Sequence, residues 1–178
     1  MGKEEEQKPT PLEIERKFLI KELPNNIADF PHKEIIQGYL AIVDNGTEVR
    51  LRKKGDKCYE TVKSGGTKIR TEIEVEITPQ QFEKLWPLTE WKRIEKTRYE
   101  LPLGDNLIIE LDVYHGILQN LITAEVEFPT EAASSNFIAP SWFEDDVTND
   151  VRFKNQYLAI YGIPSYCGIL RTTGTKKA

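Results

Sequence analysis

The sequence predicts an all-β-dominated α+β fold, in which eight antiparallel strands form a closed barrel and a few helices pack outside it. Residues 12–128 contain segments in which apolar and polar side chains alternate with a period of two, as in β-strands. Gly, Asn and Asp residues separate these segments, and the short connections favour antiparallel pairing. Eight such strands can close on themselves, which removes the exposed edges of the sheet.

Length and composition indicate a single soluble domain. A chain of 178 residues can bury a sizeable core, and its 39% hydrophobic and 30% charged residues are typical of a charge-rich globular protein. The net charge of −5 argues against a nucleic-acid partner, which usually requires a basic balance. The sequence shows neither an apolar run long enough to span a membrane nor a signal-peptide pattern, so we expect a cytoplasmic protein.

Turn signals divide the chain into its strands. Residues 1–11 are polar and rich in glutamate, and we expect them to be a flexible leader. The sequence Asp44-Asn45-Gly46 indicates a hairpin turn between the second and third strands. The predicted strands are residues 13–20, 34–43, 47–53, 57–63, 67–77, 92–101, 106–114 and 121–128.

Helices are predicted mainly in the last third of the chain. An earlier helix is indicated by Thr78 as N-cap and Pro79 at the first helical position, and Pro87 ends it. Further short helices are predicted around Ala132 and Ala133, at residues 140–145 and at residues 155–161. Residues 165–178 have no apolar periodicity, so we expect a disordered tail after a domain of residues 12–164.

The first strand places Glu13, Glu15 and Lys17 on one face. Its two carboxylates repel each other, and a hard divalent cation such as Mg²⁺ or Mn²⁺ would remove that repulsion. The lysine could then hold a phosphate group bridged to the cation. The alternative for this stretch is a solvated edge strand with mixed charges.

Most other strands also carry formal charges on one face and apolar side chains on the other. The charged positions are Arg50, Arg52, Lys63, Arg70, Glu72, Glu74, Glu76, Lys96, Arg98, Glu110, Asp112, Glu125 and Glu127. Two architectures fit this alternation. In the commoner one, the apolar faces fill the barrel and the charges face water. In the other, the charges line a wide lumen and the helices cover the apolar faces.

Two features favour the charged lumen. Aromatic residues of the predicted helices, such as Trp86 and Trp142, need a sheet face to pack against. In addition, the acids lie on the first, seventh and eighth strands and the bases on the third and sixth, whereas solvated faces usually mix the signs. Segregated charges around one lumen suit a metal-bound polyanion, because carboxylates hold cations and arginines bind phosphate oxygens.

The ordered set of motifs extends over most of the chain. It consists of Glu13-x-Glu15-x-Lys17, Arg50-x-Arg52, Lys63, Glu72-x-Glu74-x-Glu76, Lys96-x-Arg98, Glu110-x-Asp112 and Glu125-x-Glu127. This order resembles the CYTH family, also called triphosphate tunnel metalloenzymes, over residues 12–164. The resemblance implies an eight-stranded antiparallel barrel around a charged tunnel, the triphosphate tunnel fold. It also implies Mg²⁺ or Mn²⁺ as cofactor, with two ions once substrate is bound.

The resemblance implies a role for each charged position. The implied metal ligands are Glu13, Glu15, Glu110, Asp112, Glu125 and Glu127. The implied substrate contacts are Lys17, Arg50, Arg52, Lys63, Lys96, Arg98 and Lys154. The implied catalytic residues are Lys17, Arg52, Lys63 and Glu74, the last by orienting a basic residue or the attacking water.

The resemblance also indicates the reaction. This short chain with no fused domain is most similar to the family members that hydrolyse inorganic tripolyphosphate to pyrophosphate and phosphate. We therefore predict a metal-dependent tripolyphosphatase, a monomer or homodimer, whose partner is a small-molecule triphosphate rather than a nucleic acid or a membrane. The alternatives are a class IV adenylate cyclase, a thiamine triphosphatase and a polyphosphate-binding module without turnover.

Overall fold

The structure, a computed structural model, describes residues 14–63, 72–104 and 106–165. Its strands are β1 (Ile14–Ile20), β2 (His32–Ile42), β3 (Glu48–Lys54), β4 (Lys57–Lys63), β5 (Glu72–Ile77), β6 (Arg93–Leu103), β7 (Leu107–Tyr114), β8 (Ile122–Phe128) and β9 (Phe143–Asp146). Its helices are α1 (Pro79–Leu85), α2 (Glu131–Asn136) and α3 (Asn155–Tyr161). The predicted leader, residues Glu13 and Arg70, and the predicted tail beyond Ser165 lie outside the described residues.

All described strands belong to one antiparallel sheet, in the order β5-β4-β3-β2-β6-β7-β8-β1-β9. The antiparallel prediction is confirmed, but the described ranges contain nine strands rather than eight. Strands β5 and β9 lie at the two edges, and no pairing between described residues joins them, so the closed barrel is not confirmed. Strand β9 pairs with the side of β1 opposite β8, and it thereby occupies part of the edge that closure would use.

The segment at residues 140–145 was predicted as a short helix, and this prediction is wrong. It is a turn that leads into β9. The ring of Phe143 lies 5.0 Å from that of Phe18 between centroids, and Arg16 donates from Nη2 to Asp146 Oδ2 at 2.6 Å. These contacts with β1 hold the segment extended, which shows tertiary packing overriding local preference.

Two of the predicted local signals are confirmed at the backbone level. Gly46 adopts a φ of 82°, a left-handed conformation that favours glycine, and its N–H donates to the Val43 carbonyl at 2.8 Å in the β2–β3 hairpin. Thr78 caps α1 through a capping box, in which its hydroxyl accepts from the Gln81 N–H at 3.2 Å and the Gln81 side chain accepts from the Thr78 N–H at 2.8 Å.

The apolar faces of the strands form the outer side of the sheet, where α1 and α2 cover parts of them, whereas Ile73 and Val75 of β5 are exposed. Under α2, the outer face of β7 and β8 packs against residues of the 133–143 segment. Under α1, Leu51 and Cys58 pack against Phe82. Because Ile109 and Leu111 lie in the first of these clusters, the charged side chains of β7 point to the opposite, inner face. The inward orientation of the charges is therefore confirmed, whereas the alternative with an apolar barrel interior is wrong.

The third helix, α3, does not lie outside the sheet as predicted. Its Leu158 packs into a buried cluster at one end of the inner face, together with Leu19 of β1 and Tyr39 of β2. These two strands are four positions apart in the sheet order, so the sheet curls around the cluster. The apolar side chains at this end of the inner face need cover, and α3 provides it. Among the described residues, no helix has the length and apolar character that a membrane span requires.

Gly38 in β2 permits a close approach that any larger residue would block. A Cβ atom at this position would lie 2.6 Å from the Cβ of Thr89, whose hydroxyl donates to the Trp86 carbonyl at 2.7 Å and accepts from Arg93 Nε at 2.9 Å. We expect Gly38→Ala to lower the free energy of unfolding by about 1–3 kcal/mol, because the fully buried Thr89 cannot move aside. Urea denaturation measures this value. The control is Gly104→Ala, where a Cβ would meet nothing within 4 Å, and an equal loss in both variants would contradict the explanation.

Candidate functional site

The inner face of the curled sheet brings most of the predicted charged residues together. Cross-strand pairing places Arg98 opposite Asp112, Glu110 opposite Glu125, and Lys17 opposite Glu125. Residues directly opposite one another on the same face of a sheet are in side-chain contact range. Acids of β7 and β8 therefore lie beside bases of β1 and β6. We refer to these five residues, together with Lys96, as the acid–base cluster.

Arg98 stands at the centre of the acid–base cluster. Its Nε and Nη2 donate to Oδ1 and Oδ2 of Asp112 at 2.7 and 2.6 Å, a bidentate pair. Nη2 also contacts Glu125 Oε2 at 2.7 Å, and Nη1 donates to Glu110. Three carboxylates from two strands thus converge on one cation. Here the bases predicted to bind phosphate are paired with the acids predicted to bind metal.

The two lysines of the acid–base cluster differ in their titration. Burial by itself would lower the pKa of Lys17, but Glu125, whose Oε1 lies 2.9 Å from the Lys17 Nζ, outweighs burial and raises that pKa. Burial, and next the charge of Arg98, lower the pKa of Lys96 to about 8, although Lys96 Nζ lies 2.6 Å from Asp112 Oδ2. At neutral pH the Lys17 ammonium is therefore protonated, and the pKa of Lys96 lies only slightly above neutral pH.

A second charged group lies on strands β3, β4 and β5, and we call it the arginine group. Arg50 Nη2 contacts Glu72 Oε1 at 3.1 Å, and Lys63 Nζ contacts Glu72 Oε2 at 2.6 Å. Arg52 Nη2 donates to Glu74 Oε2 at 2.5 Å. Glu74 therefore contacts one basic residue and Glu72 contacts two, whereas the catalytic role of Glu74 stays a prediction.

Two buried donors of the arginine group are not satisfied. The Nε atoms of Arg50 and Arg52 are buried and have no hydrogen-bond partner among the described residues. Burial, and next the neighbouring charge of Arg50, lower the pKa of Arg52. A buried donor without an acceptor costs free energy, and these two donors lie at alternate positions of one strand, on the same face.

The six predicted metal ligands are not arranged as a metal site within the described residues. Glu13 lies outside the described ranges, and Glu15 and Glu127 are exposed neighbours at the end of the β1–β8 pair. Glu110, Asp112 and Glu125 surround Arg98, and no group of three His, Cys, Asp or Glu side chains in the described part of the chain could hold a metal ion as it stands. The donor chemistry nevertheless suits a hard cation, because these three carboxylates already converge on a positive charge.

Lys154 is the remaining predicted substrate contact. It precedes α3 and lines a cavity of about 370 Å³ with Asp44 of the β2–β3 turn and Tyr157. Its assignment as a substrate contact stays a prediction.

Sequence reasoning assigned no role to several polar residues that share the inner face. Gln37 and Tyr39 of β2 are almost fully buried, and Gln37 Nε2 donates to the Tyr39 hydroxyl at 2.7 Å. Tyr114 of β7 donates from its hydroxyl to Asn155 Oδ1 of α3 at 2.7 Å. Only their position in the two-residue alternation identifies them, because none carries a formal charge.

The curled sheet and its charged inner face define a class of protein, an antiparallel β-fold that carries paired acids and bases on one face of its sheet. Residues 11–153 match the CYTH domain family. This match covers more than half of the chain, and the chain belongs to the CYTH domain family. The resemblance seen in the sequence is confirmed.

Named relatives cover most of this chain. It is 45% identical over 148 residues to an inorganic triphosphatase of Nitrosomonas europaea, an alignment that spans 83% of this chain and 97% of the relative. It is 36% identical over 151 residues to an inorganic triphosphatase of Acetivibrio thermocellus, which spans 82% and 92% of the two chains. A crystal structure of an inorganic triphosphatase superposes with a TM-score of 0.69 at 42% identity, and covers 86% of this chain and 97% of that chain.

Proposed function

We propose that this protein is an inorganic triphosphatase, which hydrolyses tripolyphosphate to pyrophosphate and phosphate on the inner face of its sheet. The observation that carries the proposal is the arginine group, in which two buried guanidinium Nε donors lack an acceptor within the described part of the chain. An elongated polyanion supplies acceptors along its length. The two relatives named as inorganic triphosphatases support the choice of substrate.

Substrate binding falls to the bases of both charged groups. Arg50, Arg52 and Lys63 would hold one part of the triphosphate, while Lys17, Lys96 and Arg98 would hold another. Each of these bases except Lys96 is at present paired with a glutamate, and Lys96 is paired with Asp112. Phosphate oxygens would exchange with those carboxylates, and charge-assisted contacts in a partly buried cleft are stronger than in water. Lys154 would contribute from the end near α3.

The carboxylates released by this exchange would hold the metal. Glu110, Asp112 and Glu125, with Glu13, Glu15 and Glu127, supply the oxygen ligands that Mg²⁺ or Mn²⁺ prefers. When bound, such ions neutralise phosphate oxygens and favour attack by water. The chain itself supplies the positioning: Lys17 and Arg52 fix the phosphate chain, Lys63 balances its charge, and Glu74 orients Arg52 or the attacking water.

The chemical step balances with water as the only co-reactant. Water adds its oxygen to a terminal phosphorus atom, and the bond from that phosphorus to the bridging oxygen breaks. Pyrophosphate leaves with the bridging oxygen and the proton of water passes to solvent or to a phosphate oxygen. We further propose that the protein acts in the cytoplasm, as a monomer or homodimer.

A phosphate-release screen tests the proposed function. Purified protein is incubated with tripolyphosphate, ATP, GTP or thiamine triphosphate, in each case with Mg²⁺, with Mn²⁺ and with EDTA. We expect the highest kcat/KM with tripolyphosphate and no turnover with EDTA. Cyclic AMP from ATP would instead identify a cyclase, preference for thiamine triphosphate would identify that substrate, and binding without phosphate release would identify a binding module.

A further inference from the structure

Lys17 lies where the hydrogen-bond ladder between β1 and β9 ends. Strand β9 stops at Asp146, and its pairing with β1 is irregular between Phe18 and Ile20. The Lys17 carbonyl accepts from the Val147 N–H at 2.8 Å, just beyond the strand. Among the described residues, no β9 carbonyl is paired with the Lys17 N–H, which donates instead to the Thr148 hydroxyl, Oγ1, at 2.9 Å. A side chain thus completes the ladder at a residue that carries a buried charge.

The Thr148 hydroxyl is itself oriented by a carboxylate. It has one proton to donate, and Asp146 Oδ1 lies 2.5 Å from it while the Lys17 carbonyl lies 3.5 Å away. The shorter distance decides that the proton points to Asp146, because a 3.5 Å separation is at the limit of a hydrogen bond. A lone pair of the hydroxyl is then directed at the Lys17 N–H. Asp146 Oδ1 also accepts from the Thr148 N–H at 3.0 Å, which fixes the turn.

Arg16 fixes the other oxygen of the same carboxylate. Its Nε and Nη2 donate to Asp146 Oδ2 at 3.0 and 2.6 Å, and its Nη1 donates to the Ser134 carbonyl at 3.1 Å. Hydrogen bonding to Thr148 and Arg16 lowers the pKa of Asp146 although burial opposes this, so the carboxylate is charged at neutral pH. The outer face of β1 is therefore connected to its inner face through Asp146, Thr148 and the backbone of Lys17.

We propose that Thr148 is a positioning residue for Lys17, and that Asp146 orients Thr148 for this purpose. With its backbone held on both sides, Lys17 presents its ammonium to the triphosphate from a fixed point next to Glu125. The inference rests on the proposed function, since it assigns Thr148 to the use of Lys17 in binding tripolyphosphate. Loss of the hydroxyl leaves the Lys17 N–H without an acceptor and lets this end of β1 shift.

Kinetics of matched variants test the proposal. We expect Thr148→Val to lower kcat/KM for tripolyphosphate with Mg²⁺ about tenfold, which is about 1.4 kcal/mol, while Thr148→Ser, which keeps the hydroxyl, restores most of the loss. A second variant, Asp146→Asn, should have a kcat/KM between those of Thr148→Val and Thr148→Ser. The control is Thr130→Val, which removes a hydroxyl that accepts from the Ala133 N–H at 3.1 Å in α2. It should lose comparable stability without losing activity, and an equal loss of kcat/KM in Thr130→Val would overturn the proposal.

A double-mutant cycle separates a role through Lys17 from a general structural role. If Thr148 acts through Lys17, Thr148→Val should change kcat/KM less than about twofold once Lys17 is alanine, because coupled residues are not additive. A full tenfold loss in that background would overturn the proposal.

Amide hydrogen exchange and binding provide readouts that do not need turnover. The Lys17 amide should exchange at least tenfold faster in Thr148→Val than in wild-type protein, while the Leu111 amide in the centre of the sheet should be unchanged. Calorimetric titration with tripolyphosphate should show weaker binding in the same variant. Failure of the wild-type protein to hydrolyse tripolyphosphate would contradict the proposed function. An unchanged exchange rate of the Lys17 amide in Thr148→Val would separately overturn the positioning role of Thr148.

Discussion

Arg52→Ala is expected to lower kcat/KM for tripolyphosphate on the order of 100-fold, about 2.7 kcal/mol at ~1.4 kcal/mol per tenfold. Arg52 lies on the inner face of β3, and its Nη2 donates to Glu74, while its buried Nε finds no acceptor in the ranges that the structure describes. A phosphate would satisfy the buried donor and gain a charge-assisted contact in a partly desolvated cleft. Steady-state phosphate release measures the effect, and the free energy of unfolding should change by less than about 1 kcal/mol because the ion pair is partly exposed.

The matched control for Arg52 is its neighbour on the same strand. Lys53 is exposed and points to the outer face, on the side of Cys58. Lys53→Ala should leave kcat/KM within about twofold of the wild type, as expected for a surface substitution away from the site. Equal kinetics of the Arg52 and Lys53 variants would contradict the assignment of the inner face of β3 to substrate.

The orientation of the charged faces could be predicted because it depends on the two-residue period alone. Once Val49 and Leu51 are on one face of β3, Arg50 and Arg52 must share the other, and the same rule fixes β7 and β8. Turn and cap residues such as Gly46 and Thr78 were predictable for a similar reason, since their conformational preferences are local. These features need no knowledge of which strands meet.

The partners of the charged residues could not be predicted, because they depend on the strand order. β6 lies between β2 and β7, so Arg98 meets the carboxylates of β7, although a long stretch of chain separates it from Glu125. The sequence predicted bases for phosphate and acids for metal as separate sets, and it could not indicate that they neutralise each other. Strand β9 escaped prediction likewise, since its extended form depends on contacts with Arg16 and Phe18.

The charged side chains of the inner face neutralise one another in ion pairs. Arg50 and Lys63 share Glu72, and Lys17 and Arg98 share Glu125. The charges in these pairs are largely desolvated. Removal of one partner therefore destabilises the fold, because it leaves the other charge buried and unpaired, whereas removal of both partners together would not. The stability of the fold therefore depends on ion pairs that tripolyphosphate, the proposed substrate, must displace when it binds.

The acid–base cluster provides the largest expected effect on stability, at Asp112. This carboxylate is fully buried and contacts Arg98 twice and Lys96 once. Asp112→Asn keeps the shape but removes the negative charge, and it leaves two buried cations close together. We expect the free energy of unfolding to fall by about 3–5 kcal/mol, the usual result of breaking a buried ion pair by removing one partner.

Glu110→Gln is the matched control, because Glu110 contacts the same Arg98 but its side chain is 38% exposed. Its loss should cost less than about 1 kcal/mol, since solvent screens the pair and replaces the contact. Urea denaturation at pH 7 with EDTA measures both variants without any contribution from metal binding. If Asp112→Asn were no less stable than Glu110→Gln, the charge of Asp112 would not be what holds Arg98 and Lys96 in the inner face, and a neutral Lys96 would be the explanation to test next.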